Sequence, residues 1–145
     1  LTRMADLHFI LLVLATIEEG GYFNRDKEVE KYIANFNDEY PNYEENKKKL
    51  ALVLADIIKS ELEDDSIWYR KSNFFTLVVE LFTSGKTVNE LKEKLISFEK
   101  NVLKNKSEDK SSNEFALYYA NMYTGTNSRQ ARVLRSELFR KYILG

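Results

Sequence analysis

At 145 residues the chain is the size of one ordinary domain and long enough to bury a core of its own. A hydrophobic content of 43% excludes a disordered tail, and a formal net charge of −1 excludes a surface that binds polyanions as a whole. The absence of cysteine excludes disulfides and thiolate metal sites, a usage that fits a reducing, cytoplasmic setting.

One proline and five glycines leave few break points, so the expectation is helices joined by short loops. The first helix is expected from about Ala5 to Glu19, apolar on nearly all sides and therefore central, ending at Gly20-Gly21. The run from Phe9 to Ala15 is too short to cross a bilayer, which needs roughly 20 residues, so no membrane role is expected. No basic stretch leads into a small-residue cleavage site, which argues against a signal peptide. The expectation is a piece of a longer protein that begins where a domain core begins.

A second helix is expected from about Asp26 to Tyr40, stopped by Pro41. Asn42 with Glu45 has capping-box spacing and opens a third, to about Leu62, with Leu50, Val53, Leu54, Ile57 and Ile58 inward. After the acidic turn Glu61 to Asp65, a fourth helix starts at Trp68 or Ser72 and runs to Thr83, closed by Gly85. Its β-branched and aromatic run also admits a strand. Thr87 with Glu90 opens a fifth helix to about Lys104, and residues 105–113 read as a mobile loop. Ser111 with Glu114 opens a sixth, carrying Phe115, Leu117, Tyr118, Tyr119 and Met122. Thr126 or Asn127 caps the last. The fold class is all-α, one domain over residues 1–145 with six or seven helices.

Catalytic groups are scarce. The one histidine, His8, sits inside an apolar helix, and the acidic run Glu63-Asp64-Asp65 reads as a solvated turn. No glycine-rich phosphate loop and no activated nucleophile is visible, so the fragment itself is not expected to be catalytic or to hold a cofactor or metal. Two clusters carry charge that could meet a partner. In residues 67–75 aromatic residues flank Arg70 and Lys71, an interleaving that can stack bases and hold phosphates; the plainer reading makes Trp68, Phe74 and Phe75 core.

The second cluster is the closing helix. The last twenty-one residues hold Arg129, Arg132, Arg135, Arg140 and Lys141 against the single acid Glu137, a local charge of +4, so the rest of the chain carries −5. At 100° per residue, Ala131, Leu134, Leu138 and Tyr142 form the inward stripe. Arg129, Arg132 and Arg140 fall on the outward face, and Arg135 at the edge of the inward stripe. Such a face suits phosphates or the carboxylates of another domain.

Three segments occur in one order: Arg3-Met4-x-Asp6-x-x-Phe9 before an apolar helix, Arg70-Lys71-Ser72-Asn73-Phe74-Phe75, and Thr126-Asn127-Ser128-Arg129 with Arg132 and Arg135. That order resembles the C-terminal helical region of the GmrSD-like family, large bacterial proteins with a ParB-like N-terminal domain that restrict foreign DNA. The resemblance implies a nucleotide-dependent ParB-like domain with an Asp-Gly-Gln-Gln-Arg-type motif, often with an HNH nuclease. Neither motif stands in this chain, so both are expected in other parts of the protein. The resemblance carries over Arg3, Asp6, Arg70, Ser72, Asn73, Asn127, Ser128, Arg129 and Arg132 as matching positions without assigning their roles. The expectation is a domain that supports an upstream ParB-like domain and meets DNA or another partner through Arg129, Arg132, Arg135, Arg140, Arg70 and Lys71. The rival expectation is a non-catalytic structural or protein–protein interaction module whose arginines pair with acids of another domain.

Overall fold

The computed structural model describes residues 9–10, 12–17, 21–22 and 43–145. The second expected helix, the stop at Pro41, the cap at Asn42, His8, and Arg3 to Asp6 lie outside the described residues. The fold is all-α, with no strand among the described residues. Its helices are α1 (Tyr43–Lys59), α2 (Lys71–Ser84), α3 (Val88–Lys104), α4 (Glu114–Tyr123) and α5 (Arg129–Phe139). A 3-10 turn (Ile67–Tyr69) precedes α2, and a π-helical turn (Arg140–Leu144) extends α5.

Helix α2 is the centre. Every residue from Phe75 to Phe82 is buried, and the helix packs against α1, α4 and α5. Burial on all sides explains the unbroken apolar run that also admitted a strand. Gly85 ends α2 in the left-handed conformation (φ 73°), donating its N–H to Leu81 O, a geometry a side chain would strain. The helical residues 12–17 belong to the same core, with Leu12 to Thr16 buried.

The capping box of α3 is present in full: Thr87 accepts from the Glu90 N–H and Glu90 accepts from the Thr87 N–H. Its stripe of Leu91, Leu95, Phe98 and Val102 is buried as the spacing predicts. Trp68 is fully buried against Phe98, Tyr118 and Phe139, and its indole N–H donates to Leu95 O at 3.0 Å.

Several expectations need correction. Helix α1 stops at Lys59 rather than near Leu62, because Glu61 adopts a positive φ of 58° that turns Leu62 back into the core. Ile58 points outward, 80% exposed, while Leu50 and Ile57 face in. Residues 105–113 form hydrogen-bonded turns (Glu108 N to Asn105 O, Ser112 N to Asp109 O), closed by Asn113 Nδ2 donating to Asn105 Oδ1 at 3.0 Å. Asn113, not Ser111, caps α4, since Ser111 donates to Asp109 instead. Ser128, not Thr126 or Asn127, caps α5.

Candidate functional site

The segments Arg70–Asn73 and Thr126–Arg135 are more than fifty residues apart, yet they meet in one cleft between the N-termini of α2 and α5. Helix α2 brings Lys71 and Ser72, the turn before α5 brings Thr126 and Asn127, and α5 brings Arg132 and Arg135. Phe9, Leu12 and Phe75 complete the lining. The cleft measures about 60 Å³ and its described lining contains no carboxylate.

The outward arginine face is not what forms. Arg132 is only 3% exposed, with its guanidinium 5.0 Å from the centre of the Phe75 ring. Arg135 is 1% exposed. Its Nε donates to Thr76 Oγ1 at 3.1 Å, and its Nη1 to Asn121 O at 2.9 Å and Thr126 O at 3.2 Å. Burial pushes the Arg135 pKa down from its ordinary value. Of the stripe expected, Ala131 and Leu138 are buried, but the inward face also takes in Arg132, Arg135, Ser136 and Phe139, so it is turned and widened toward the arginines. The reason lies in the neighbours: the last carbonyls of α4 and of the following turn have no helical partner and draw Arg135 inward. Leu134 and Tyr142, the other two positions of the expected stripe, are half-buried.

Arg129 and Arg140 keep exposed side chains, and both are engaged. Arg129 Nε donates to Tyr22 O at 3.1 Å. Arg140 bridges Glu80 with Nε to Oε1 at 2.9 Å and Nη2 to Oε2 at 3.3 Å. Glu80 is 1% exposed and also accepts from Tyr22 OH (2.6 Å) and Ser136 Oγ (2.7 Å). Burial first, and the Glu80 charge second, push the Tyr22 hydroxyl well up, so it stays a donor. Hydrogen bonding to Glu80 pushes Arg140 up. Lys141 pairs with Glu114 at 2.8 Å, and Tyr142 OH donates to the same carboxylate at 2.6 Å.

In the 67–75 segment, Trp68 and Phe75 are core and Phe74 is half-buried, while Arg70 and Lys71 are exposed. Arg70 lies 3.5 Å over the Tyr123 ring and its Nε donates to Met122 O. Ser72 Oγ donates to the same carbonyl, and buried Asn73 joins Ile67 O to the Tyr118 hydroxyl. These polar residues tie the 3-10 turn, α2 and α4 together behind the cleft.

Glu80, Tyr22 and Ser136 were missed in the sequence. Glu80 alone left a trace, as the one charge inside the apolar run Phe74 to Phe82. A larger groove, about 370 Å³, lies between residues 61–66 and α3. Its acids Glu61, Glu63, Asp65 and Glu99 sit with Lys92 and Lys100, and Glu99 already accepts from Ser66 Oγ and Ile67 N.

Among the described residues, no three His, Cys, Asp or Glu side chains are grouped to hold a metal, and no helix is long and apolar enough to cross a membrane. Ser72 Oγ faces a backbone carbonyl rather than a base. Comparison with protein-family models, curated proteins and solved structures finds no match to this chain.

Proposed function

We propose that this chain is the non-catalytic helical domain of a GmrSD-like DNA restriction protein, which supports a ParB-like nucleotide-dependent domain and meets DNA phosphates at the mouth of the α2–α5 cleft. One observation carries this reading. Two of the segments on which the family resemblance rests come together in space and line one cationic cleft. The contact is assigned to a smaller set than the sequence suggested. Arg132 and Arg135 are buried and Arg140 is held by Glu80, so the contact is assigned to three exposed cations: Lys71, which lines the cleft, Arg70, which covers Tyr123, and Arg129, which also donates to Tyr22 O.

The test is duplex DNA binding across a salt titration, comparing the wild type with Lys71→Ala/Arg129→Ala. Each phosphate contact contributes about 0.9 to the slope of log affinity on log salt, so the double variant should bind more weakly, with a slope shallower by about 1.8. An unchanged isotherm and slope would remove the DNA role. The burial of Arg132 and Arg135 favours the second reading, a structural or interaction module without nucleic acid. That module shows no salt-sensitive DNA binding in the wild type and loses association with the rest of the protein when Arg129 is changed.

A further inference from the structure

We propose that the groove between residues 61–66 and α3 is where a second copy of this chain docks, the two copies being related by a two-fold axis that lies along the groove. Among the described residues the groove shares no lining residue with the α2–α5 cleft, so the inference goes beyond the DNA contact and does not depend on it.

The floor of the groove is apolar. Leu62 is buried at its base, while Ile96 and Leu103 stand 46% and 40% exposed along α3. Seven residues apart, these two lie on one face, two turns or about 10.5 Å from each other. The core stripe of the same helix, Leu91, Leu95, Phe98 and Val102, occupies a different face and is buried. Helix α3 therefore carries a second apolar stripe, and this one is left at the surface.

The two sides of the groove carry opposite charge. On one side residues 61–63 alternate, with Leu62 inward and Glu61 and Glu63 exposed, and exposed Asp65 follows. On the other side α3 presents Lys92 and Lys100. Among the described residues none of these five charges enters an ion pair, so the acids and the lysines face each other across a gap that neither spans. Glu99, deeper in the groove, is already committed to Ser66 Oγ and Ile67 N.

A two-fold contact sets a patch against itself, so the patch must complement its own charges. With the axis along the groove, the acidic side of each copy meets the α3 lysines of the other, and Ile96 and Leu103 meet their own counterparts between them. With the axis across the groove, acid would meet acid. The charges thus select one orientation, in which the two α3 helices run parallel. A formal net charge of −1 imposes little general repulsion between copies. From Lys92 to Leu103 the surface is roughly three helical turns long, short for a standard interface, so the pair is a weak one, half-associated at about 0.1 mM.

The experiment is sedimentation equilibrium of the full chain without DNA, at concentrations on either side of about 0.1 mM. The mass should rise from 17.0 kDa toward twice that value and stop there. Glu63→Lys and Lys100→Glu change exposed side chains, so each should keep the wild-type thermal midpoint. Each reverses two contacts per pair and should weaken self-association about tenfold. Mixed in equal amounts, the two variants should associate as the wild type does, because each then supplies the charge that the other needs on both sides. Ile96→Asp should weaken association more than either, and mixing it with either charge variant should restore nothing. A mass that stays at 17.0 kDa, or one that grows past two copies, overturns the inference. So does a mixture of Glu63→Lys and Lys100→Glu that associates no better than each alone. Because DNA is absent throughout, neither result bears on the salt slope that tests the DNA contact.

Discussion

The body of the closing helix and the turn that extends it carry similar side chains in different circumstances. At the C-terminal end, Arg140 and Lys141 are each matched by a carboxylate of the same chain, Glu80 and Glu114. In the second half of α5, Arg135 is deeper than either, and its acceptors among the described residues are all neutral. A cation with an internal partner holds the fold together. Arg135 instead holds the fold through neutral groups, joining α5 to α2, to the last turn of α4 and to the turn before α5. Counting arginines along the sequence merges these two cases.

The largest effect should come from breaking the matched end. Arg140→Met leaves the Glu80 carboxylate buried with hydroxyl donors only. Orphaning a fully buried charge costs about 3–5 kcal/mol, and because Arg140 is itself 59% exposed, the expected loss is about 2–3 kcal/mol in urea unfolding. Adding Glu80→Gln should recover most of it. A single variant that unfolds at the wild-type midpoint would show that the pair contributes nothing.

Arg135→Met should cost less, about 1 kcal/mol in chloride. It abandons three hydrogen bonds and strands two carbonyls, but it also removes a buried charge that no carboxylate among the described residues pairs with. If this variant proves more destabilised than Arg140→Met, the contrast between the two is wrong.

Smallest is the exposed pair. Lys141→Ala should cost about 0.2–1 kcal/mol, the ordinary range for a surface ion pair. Its pH dependence has a defined sign. The hydrogen bonds from Lys141 and Tyr142 hold the Glu114 carboxyl below its ordinary 4.5, so its contribution is complete above pH 4.5 and is lost as pH falls through the depressed value. Glu114→Gln should therefore flatten the acid side of the stability curve and leave its slope near neutral pH unchanged.

The fold was legible where periodicity and caps agree. Leu91, Leu95, Phe98 and Val102 behind Thr87 and Glu90 define α3 without any tertiary information, and Gly85 marks the end of α2. The site was only half legible. The segments holding Lys71, Ser72, Thr126, Asn127, Arg132 and Arg135 stood out in sequence, and the structure gathers them at one cleft. Their orientation was misread because an amphipathic wheel sends every charge outward. It has no way to register that the carbonyl of Asn121 and the hydroxyl of Thr76 await a donor inside. Glu80 shows the same blindness from the other side: the sequence displays an acid in an apolar run, and only packing reveals Tyr22, Ser136 and Arg140 around it.

That carboxylate also acts as an alignment mark. Apolar faces are forgiving, and Leu138, Phe139 and Ile143 could bury comparable area against α2 after a slide of one turn, about 5.4 Å. Such a slide would carry Ser136 and Arg140 away from Glu80 together and leave a charge alone in the interior. A single acid in the central helix thus lets the chain distinguish the correct docking of its last helix from near misses that a greasy interface would accept.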